Sequence, residues 1–334
     1  MTESPIRYRS LNLVTGALVV GTALSLLSGY WAGSTYVGYE PMDFMAILLW
    51  FLGIPVLATL IGAFLGWKGK QAVEYSSPEW KFEPVQLKPE ECKSFARKHN
   101  RNHARLVASG NFWFFFIPVL LILAMFGLPL WMQYEASWLA QYAALLEAAM
   151  LTLVYLTSFA AMYFGSANSA SEDFTMPLIR EAAWLARKQS KVPGISHIRV
   201  VVDAAEFAGL HIYRNPRVIA RISGHEKDAY IESWSEEVGA IAKLLCRLYP
   251  SDTSPQVIWW WFSGDRHFRK YVGDDKGGYY VRNPIPSRIK ELGVKDVELV
   301  TKNSVGLFLL EWLRIRRDSE AARETLSTLG IAVE

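Results

Sequence analysis

Four long apolar runs limit what this chain can fold into: Leu13 to Ala32, Phe44 to Trp67, Asn111 to Trp131 and Leu139 to Phe164. A helix that crosses a bilayer needs about 20 mostly apolar residues, and each run meets that length. The first run is too long for a signal-peptide core and no clear cleavage site follows it, so it is expected to stay attached. The third opens on Phe112-Trp113-Phe114-Phe115-Phe116, the residue types that settle at a membrane interface. The composition agrees, with 51% hydrophobic and only 20% charged residues. A length of 334 residues suits two structural units.

The connections set an orientation. Residues 33–43 carry Glu40 and Asp43 without a cation, and residues 132–138 carry only Glu135. Residues 68–110 carry nine Lys/Arg and five Glu, and the N-terminal tail carries Arg7 and Arg9. Cationic connections stay inside, which gives two antiparallel hairpins with both termini and the long loop in the cytoplasm. The expected fold is an α-helical polytopic membrane domain of four transmembrane helices plus a C-terminal cytoplasmic α+β, mostly helical, domain. Its parts are residues 1–67 (tail and first hairpin), 68–110 (basic cytoplasmic loop), 111–165 (second hairpin) and 166–334 (cytoplasmic domain).

Two features lie inside the apolar runs. Gly62 and Gly66 form a GxxxG, which lets two helices approach closely. Glu147 lies roughly 13 Å along its helix when counted from Trp138 at about 1.5 Å per residue. An ionisable group at that depth is a bundle contact or a functional group. If the span starts near Ala148, Glu147 sits among headgroups instead.

In the cytoplasmic part, Val257 to Asp274 joins a buried wedge to a cationic run. Trp259, Trp260, Trp261 and Phe262 call for burial. Asp265, Arg266, His267, Arg269 and Lys270 follow at once. Helices are expected over 172–191, with Pro177 in the first turns, over 230–249, with Ile231, Trp234, Val238, Ile241, Leu244, Leu245 and Leu248 at helical spacing, over 286–292, and over 304–329. Residues 198–202, 210–213 and 218–222 read as short strands, and 277–281 as an extended piece. Preorganised cations make Arg266, Arg269 and Lys270, with Arg314, Arg316 and Arg317 on the last helix, a candidate surface for an acidic partner. The competing reading is a strand exit whose charges are merely solvated.

Enzyme chemistry finds little support. No Walker loop, GxGxxG after a strand, HExxH, CxxC or GxSxG occurs. Asp296, Glu298 and Lys302 have the wrong spacing for a nuclease set on one strand face. Cys92, His99 and His103 could mimic a metal site on one helix face, but Arg97, Lys98, Arg101 and Arg105 would repel a cation. A basic membrane-proximal helix fits that stretch better. Cys92 and Cys246 are expected to be reduced thiols. No catalytic residue, metal or cofactor is expected, and a net charge of +3 gives no reason to expect direct nucleic-acid binding.

Residues 225–315 resemble the cytoplasmic domain of the DotM/IcmP (TrbA-like) membrane subunits of type IV secretion and conjugation coupling complexes. The resemblance rests on Ala229-Tyr230 with His225 upstream, Trp260 five positions before Asp265-Arg266, the aromatics Phe268 and Tyr271, and Glu291-Leu292-Gly293 before the last helix. His225 is separated from Ala229 by Glu226, Lys227 and Asp228, and Phe262-Ser263-Gly264 stand where that family has Leu-Lys-Pro. The resemblance implies a helix opened by Ala229-Tyr230. It also implies a bacterial inner-membrane adaptor without enzymatic activity, which tethers a coupling ATPase and reads acidic signals on protein substrates. The alternatives are a membrane-anchored sensor or effector whose cytoplasmic domain binds a small ligand or protein partner, and a membrane-bound enzyme with an unrecognised site. Membrane lipids are partners in every case.

Overall fold

The structure is a computed structural model. It describes residues 4–9, 11–36, 45, 48–108, 113–135, 137–227, 229–236, 239–248, 256–262, 267–274, 277–284, 296–315 and 317–331. The elements run β1 (Ile6–Tyr8), α1 (Leu11–Tyr36), α2 (Ile54–Gln71), β2 (Val73–Tyr75), β3 (Glu83–Leu87), α3 (Cys92–Asn102), α4 (Trp113–Tyr134), α5 (Ala143–Gly165), α6 (Ser171–Phe174) and α7 (Ile179–Gln189). Then follow β4 (Ile195–Phe207), β5 (Leu210–Ile222), β6 (Ala229–Ser235), β7 (Ile241–Leu248), β8 (Gln256–Phe262), β9 (His267–Asp274), β10 (Gly277–Pro284), α8 (Val297–Ile315) and α9 (Glu320–Thr328). They form two compact units, Met1–Glu79 with Asn102–Thr175, and Trp80–Arg101 with Met176–Glu334.

The first unit is a helix bundle. Four stretches are long and apolar enough to cross a membrane: Leu11–Thr35, Leu48–Gln71, Phe115–Met132 and Trp138–Gly165. Helix α5 is the axis, and α1, α2 and α4 all pack on it. Glycines set the spacing. A Cβ on Gly29 or Gly33 of α1 would lie 2.6 Å from the carbonyl oxygen of Glu147 or Ala143, and one on Gly62 of α2 would lie 2.5 Å from that of Tyr155. A Cβ on Gly66 would run into the carbonyl of Phe159. Helices in lipid associate through such close packing, since lipid tails already solvate their apolar side chains. Hydroxyls bond back to their own helix, as Ser158 Oγ donates to Val154 O at 2.6 Å and Thr22 Oγ1 to Leu18 O at 2.7 Å. Thr152 Oγ1 on α5 is an exception, buried without a partner.

At the end of α2, Lys70 is fully buried, donates from Nζ to Val107 O at 2.9 Å, and lies 5.7 Å from the Tyr163 ring. Strands β1 and β2 pair antiparallel, with Arg9 on Glu74 at 3.1 Å.

The second unit corrects the expectation of a mostly helical domain. It is built on an eight-stranded antiparallel sheet in the order β10-β9-β8-β7-β6-β5-β4-β3, among the described residues. Residues 230–249 are not a helix; they include the strands β6 and β7. Ile231, Trp234, Ile241, Leu244 and Leu248 satisfy a helical period, but alternation satisfies part of the same set. Gly239 decides between them: its φ is +84°, a left-handed value that no helix interior accepts. The chain turns there, with Glu236 N–H donating to Ala240 O at 2.8 Å.

Strand β3 comes from the loop expected to be separate, and pairs with β4. The β4–β5 hairpin turns on Ala208 and Gly209, both at positive φ (50° and 77°), the form whose twist matches the flanking strands. The helix expected over 172–191 breaks into α6 and α7, with Pro177 in the break. The last helix divides into α8 and α9, where Ser319 Oγ caps the N-terminus by accepting from Ala322 N at 3.3 Å. The helix expected over 286–292 lies outside the described residues.

One face of the sheet carries the core. Val200, Val218, Ala220, Ile222, Ala229, Ile231 and Leu244 are fully buried against Leu185 and Ala186 of α7 and Phe308 and Leu309 of α8. Each large aliphatic side chain buried this way contributes about 1.5–3 kcal/mol. Gln189 of α7 crosses this core and donates to Ser233 Oγ at 2.8 Å and Thr301 Oγ1 at 3.2 Å, which satisfies its amide.

Replacing Gly66 by Leu should break the α2–α5 contact, because the side chain meets backbone that cannot yield. The expected outcome is loss of monodisperse protein on size exclusion in mild detergent, while Gly16→Leu, which has nothing within 4 Å of its added Cβ, behaves as wild type.

Candidate functional site

Strand residues alternate between faces, so the register assigns every residue opposite a core position to the core side and its neighbours to the other side. The core row runs Ala220, Ile231, Cys246, Trp259, Lys270 and Val281 across β5 to β10. The adjacent outer row runs Arg199, Ile219, Glu232, Leu245, Trp260, Arg269 and Arg282. A second outer row runs Arg221, Tyr230, Arg247, Ile258, Tyr271 and Tyr280. A third holds Arg217 opposite Val201, and Trp234, Lys243 and Phe262.

The described side chains of these three rows include the cations Arg199, Arg217, Arg221, Lys243, Arg247 and Arg269. Against them stand the carboxylates Glu232 and, from β4, Asp203. Arg217 holds both. Its Nε lies 2.7 Å from Glu232 Oε1 and its Nη1 lies 2.7 Å from Asp203 Oδ1, with all three side chains at least three-quarters buried. Asn215 Nδ2 donates to Asp203 Oδ2 at 3.1 Å, and Trp234 Nε1 donates to Asn215 Oδ1 at 2.8 Å. Asn215 has φ +50°, which asparagine tolerates better than most residues. It lies in the irregularity between the Val201–Arg217 and Asp203–Arg214 pairs, where β5 carries the extra residue.

Two of the other cations lie against rings. Arg221 stands 5.0 Å from the Tyr230 ring and Lys243 stands 4.6 Å from the Trp234 ring. Such stacking orders a cationic side chain without neutralising it. Arg199 is exposed, and its Nη1 donates to Ile198 O at 3.2 Å. Arg269 is exposed too. Neither Arg199 nor Arg221 has a carboxylate partner among the described residues.

The surface expected from sequence is divided by this geometry. Arg269 and Lys270 are adjacent in β9 and therefore belong to opposite faces, Arg269 in the row of Trp260 and Lys270 in the row of Trp259 and Cys246. In the tryptophan run, Trp259 and Trp261 register with Cys246 and Leu244, and Trp260 with Leu245. Arg314 is largely exposed on α8 and lies 3.7 Å from Glu311, and Arg317 accepts from Arg323 through its carbonyl. Helix α8 packs on the core face, so Arg314 does not belong to the outer rows. Asp265, Arg266 and Arg316 lie outside the described residues. Gly62, Gly66 and Glu147 are buried in the first unit.

Lys243 and Arg247 were missed because reading 230–249 as a helix hides the alternation of Tyr230, Glu232 and Trp234 with Ile231 and Ser233, and Arg199, Arg217 and Arg221 because the pairing that sets them on one face is not written in any one strand. The signal that finds them is Gly239-Ala240 between two such alternating stretches.

Among the described residues, no group of three His, Cys, Asp or Glu is placed to hold a metal ion. Helix α3 ends before His103; His99 packs edge-on to Tyr213 at 5.2 Å, and His103 lies 5.1 Å from Phe174. Burial pushes the Cys92 thiol up to about 11, with the Glu91 charge adding to it, and pushes Cys246 up to about 12 against an opposing hydrogen bond with Ser304. Both remain protonated and unreactive at neutral pH. Comparison of the chain with protein-family models, curated proteins and solved structures finds no match.

Arg217→Met keeps the stem and removes the charge that Asp203 and Glu232 share. Two part-buried carboxylates lose their partner, and the expected cost is about 1–3 kcal/mol. Denaturant unfolding of the full chain, followed through tryptophan fluorescence, measures it.

Proposed function

We propose that the chain is a membrane-anchored adaptor whose sheet docks acidic protein segments on its outer face. One observation carries the reading: on one face of the sheet Arg199 and Arg221 stand without a carboxylate partner among the described residues, beside Arg217, which holds both Glu232 and Asp203. The choice of carboxylates as the ligand rests on that same arginine, which already holds two of them in cis through separate nitrogens. Arginine forks match carboxylates better than lysine does.

In this reading the four apolar helices anchor the adaptor in a bacterial inner membrane. Both termini and the sheet lie in the cytoplasm, as the cations of residues 68–110 and the acidic short connections imply. The coupling-complex setting implied by the DotM/IcmP resemblance has less support than the adaptor role, since Ala229-Tyr230 opens a strand here and Trp260 lies on another.

The docking test uses the full chain in neutral-lipid nanodiscs and a fluorescein-labelled polyglutamate peptide read by anisotropy. An exposed pair contributes about 0.2–1 kcal/mol, so Arg199→Glu with Arg221→Glu should weaken binding roughly tenfold. Binding by wild type should fall as salt rises. Unchanged affinity in the double variant overturns the proposal, as does tighter binding of oligothymidylate or of anionic vesicles than of the peptide.

The orientation is checked by cysteine labelling. A cysteine at Glu135 should react with an impermeant maleimide from outside intact cells and not from inside, over a low background from the buried Cys92 and Cys246. The reverse pattern inverts the topology.

A further inference from the structure

Glu147 lies on α5 with no exposed surface, and both of its carboxyl oxygens are buried without a hydrogen-bond partner. Helix α1 packs on α5 at this residue, and its Gly29 approaches the Glu147 backbone carbonyl so closely that a Cβ would sit 2.6 Å away. One turn on, Gly33 meets the carbonyl of Ala143 in the same way. Two backbones in such contact leave no room for water along the seam. A row of small residues explains the contact but does not call for a carboxyl group in it.

No neighbouring element supplies a countercharge. Helices α1 and α4 contain no Asp, Glu, Lys, Arg or His, and neither does the turn Leu48–Gly53 or the turn Ser137–Tyr142. On α2 the cations are Lys68 and Lys70. Lys70 lies over Tyr163, sixteen residues along α5 from Glu147 and therefore roughly 24 Å away. Glu135, in the connection before α5, is exposed. A carboxylate ion without water, hydrogen bond or cation is far more costly in these surroundings than the neutral acid.

We propose that Glu147 is a proton-binding site of the bundle, and that its occupancy is linked to closure of the seam between α1 and α5. With the seam closed the group is the carboxylic acid. Ionisation breaks only the O–H bond, sends the proton to water and leaves the pair of electrons on the carboxylate. That ion must then be hydrated, which requires α1 to move off α5. Protons thus favour the closed pair and their release favours the open one, as for any ligand that binds one of two states better. This inference is independent of the docking surface on the sheet.

The experiment follows two signals in the full chain in nanodiscs as pH is raised. Infrared difference spectra report the C=O stretch of a protonated carboxyl group. Spin labels at Ser34 and Leu145, both exposed on the first and fifth helices, report the seam. The expected result is a protonated-carboxyl band at neutral pH that fades at alkaline pH as the label distance grows. In Glu147→Gln the band is absent and the distance does not change with pH. Three results overturn the proposal: no such band in wild type at neutral pH, a band that titrates while the distance stays fixed, or a distance change that persists in Glu147→Gln. Should that variant fail to fold, wild type decides alone, because band and distance must change together.

Discussion

An antiparallel sheet has two faces, and the helices α7 and α8 cover one of them. That constraint organises the second unit. The covered face is built from small and branched apolar residues, Val218, Ala220, Ile231 and Leu244, fully buried against the helices. The strands cannot hide their other face in the same way, so it must be made compatible with a polar environment. Here that is done with arginine and lysine laid over tyrosine and tryptophan, rather than with a balanced mixture of charges. Half-buried cations whose stems lie on rings keep their charge while losing freedom. The result is a cationic surface held in place by the strands beneath it.

The Arg217 cluster shows how firmly such a surface can be set. One guanidinium joins β5 to β4 through Asp203 and to β6 through Glu232, and Asn215 extends the network to Trp234. Partly buried ion pairs contribute little net stability when compared with apolar replacements, yet are costly to break one-sidedly. Their effect here is register: the cluster ties three strands at the bulge where pairing is otherwise interrupted.

The bundle works under the opposite constraint. Its helices expose apolar side chains outward and meet each other through backbone, at Gly29, Gly33, Gly62 and Gly66. Close backbone contact gives dispersion attraction without any need for water to be expelled. It also makes the seam intolerant of anything that must be hydrated. The carboxyl group at Glu147 departs from that rule, as on a smaller scale does the unpartnered hydroxyl of Thr152, whereas Ser25 and Ser158 bond to their own helices and Lys70 reaches a carbonyl at the end of α2. The anchor and the sheet therefore treat charge in contrary ways, the first by excluding it from the helix seams and the second by gathering one sign on a face.

The amino-acid sequence by itself determined the four apolar helices and the glycine pair Gly62 and Gly66, and it marked Glu147 as an ionisable group either inside the bundle or among headgroups; the tertiary structure buried it. Those sequence properties are local: length, hydropathy and spacing along a single helix suffice for them. It also showed the strands around 198–202 and 218–222, where β-branched residues are dense. The tertiary structure decided what local pattern could not. Ile231, Leu244 and Leu248 fit both a helix and a pair of strands, and only partners across the sheet, such as Ala220 for Ile231, select the strands. The cationic face is likewise a product of register, since Arg199, Arg221 and Arg269 are far apart in the chain and share a face only because their strands pair in this order. Adjacent Arg269 and Lys270 are separated for the same reason: the side-chain period of a strand is two, so neighbours in sequence are opposites in space.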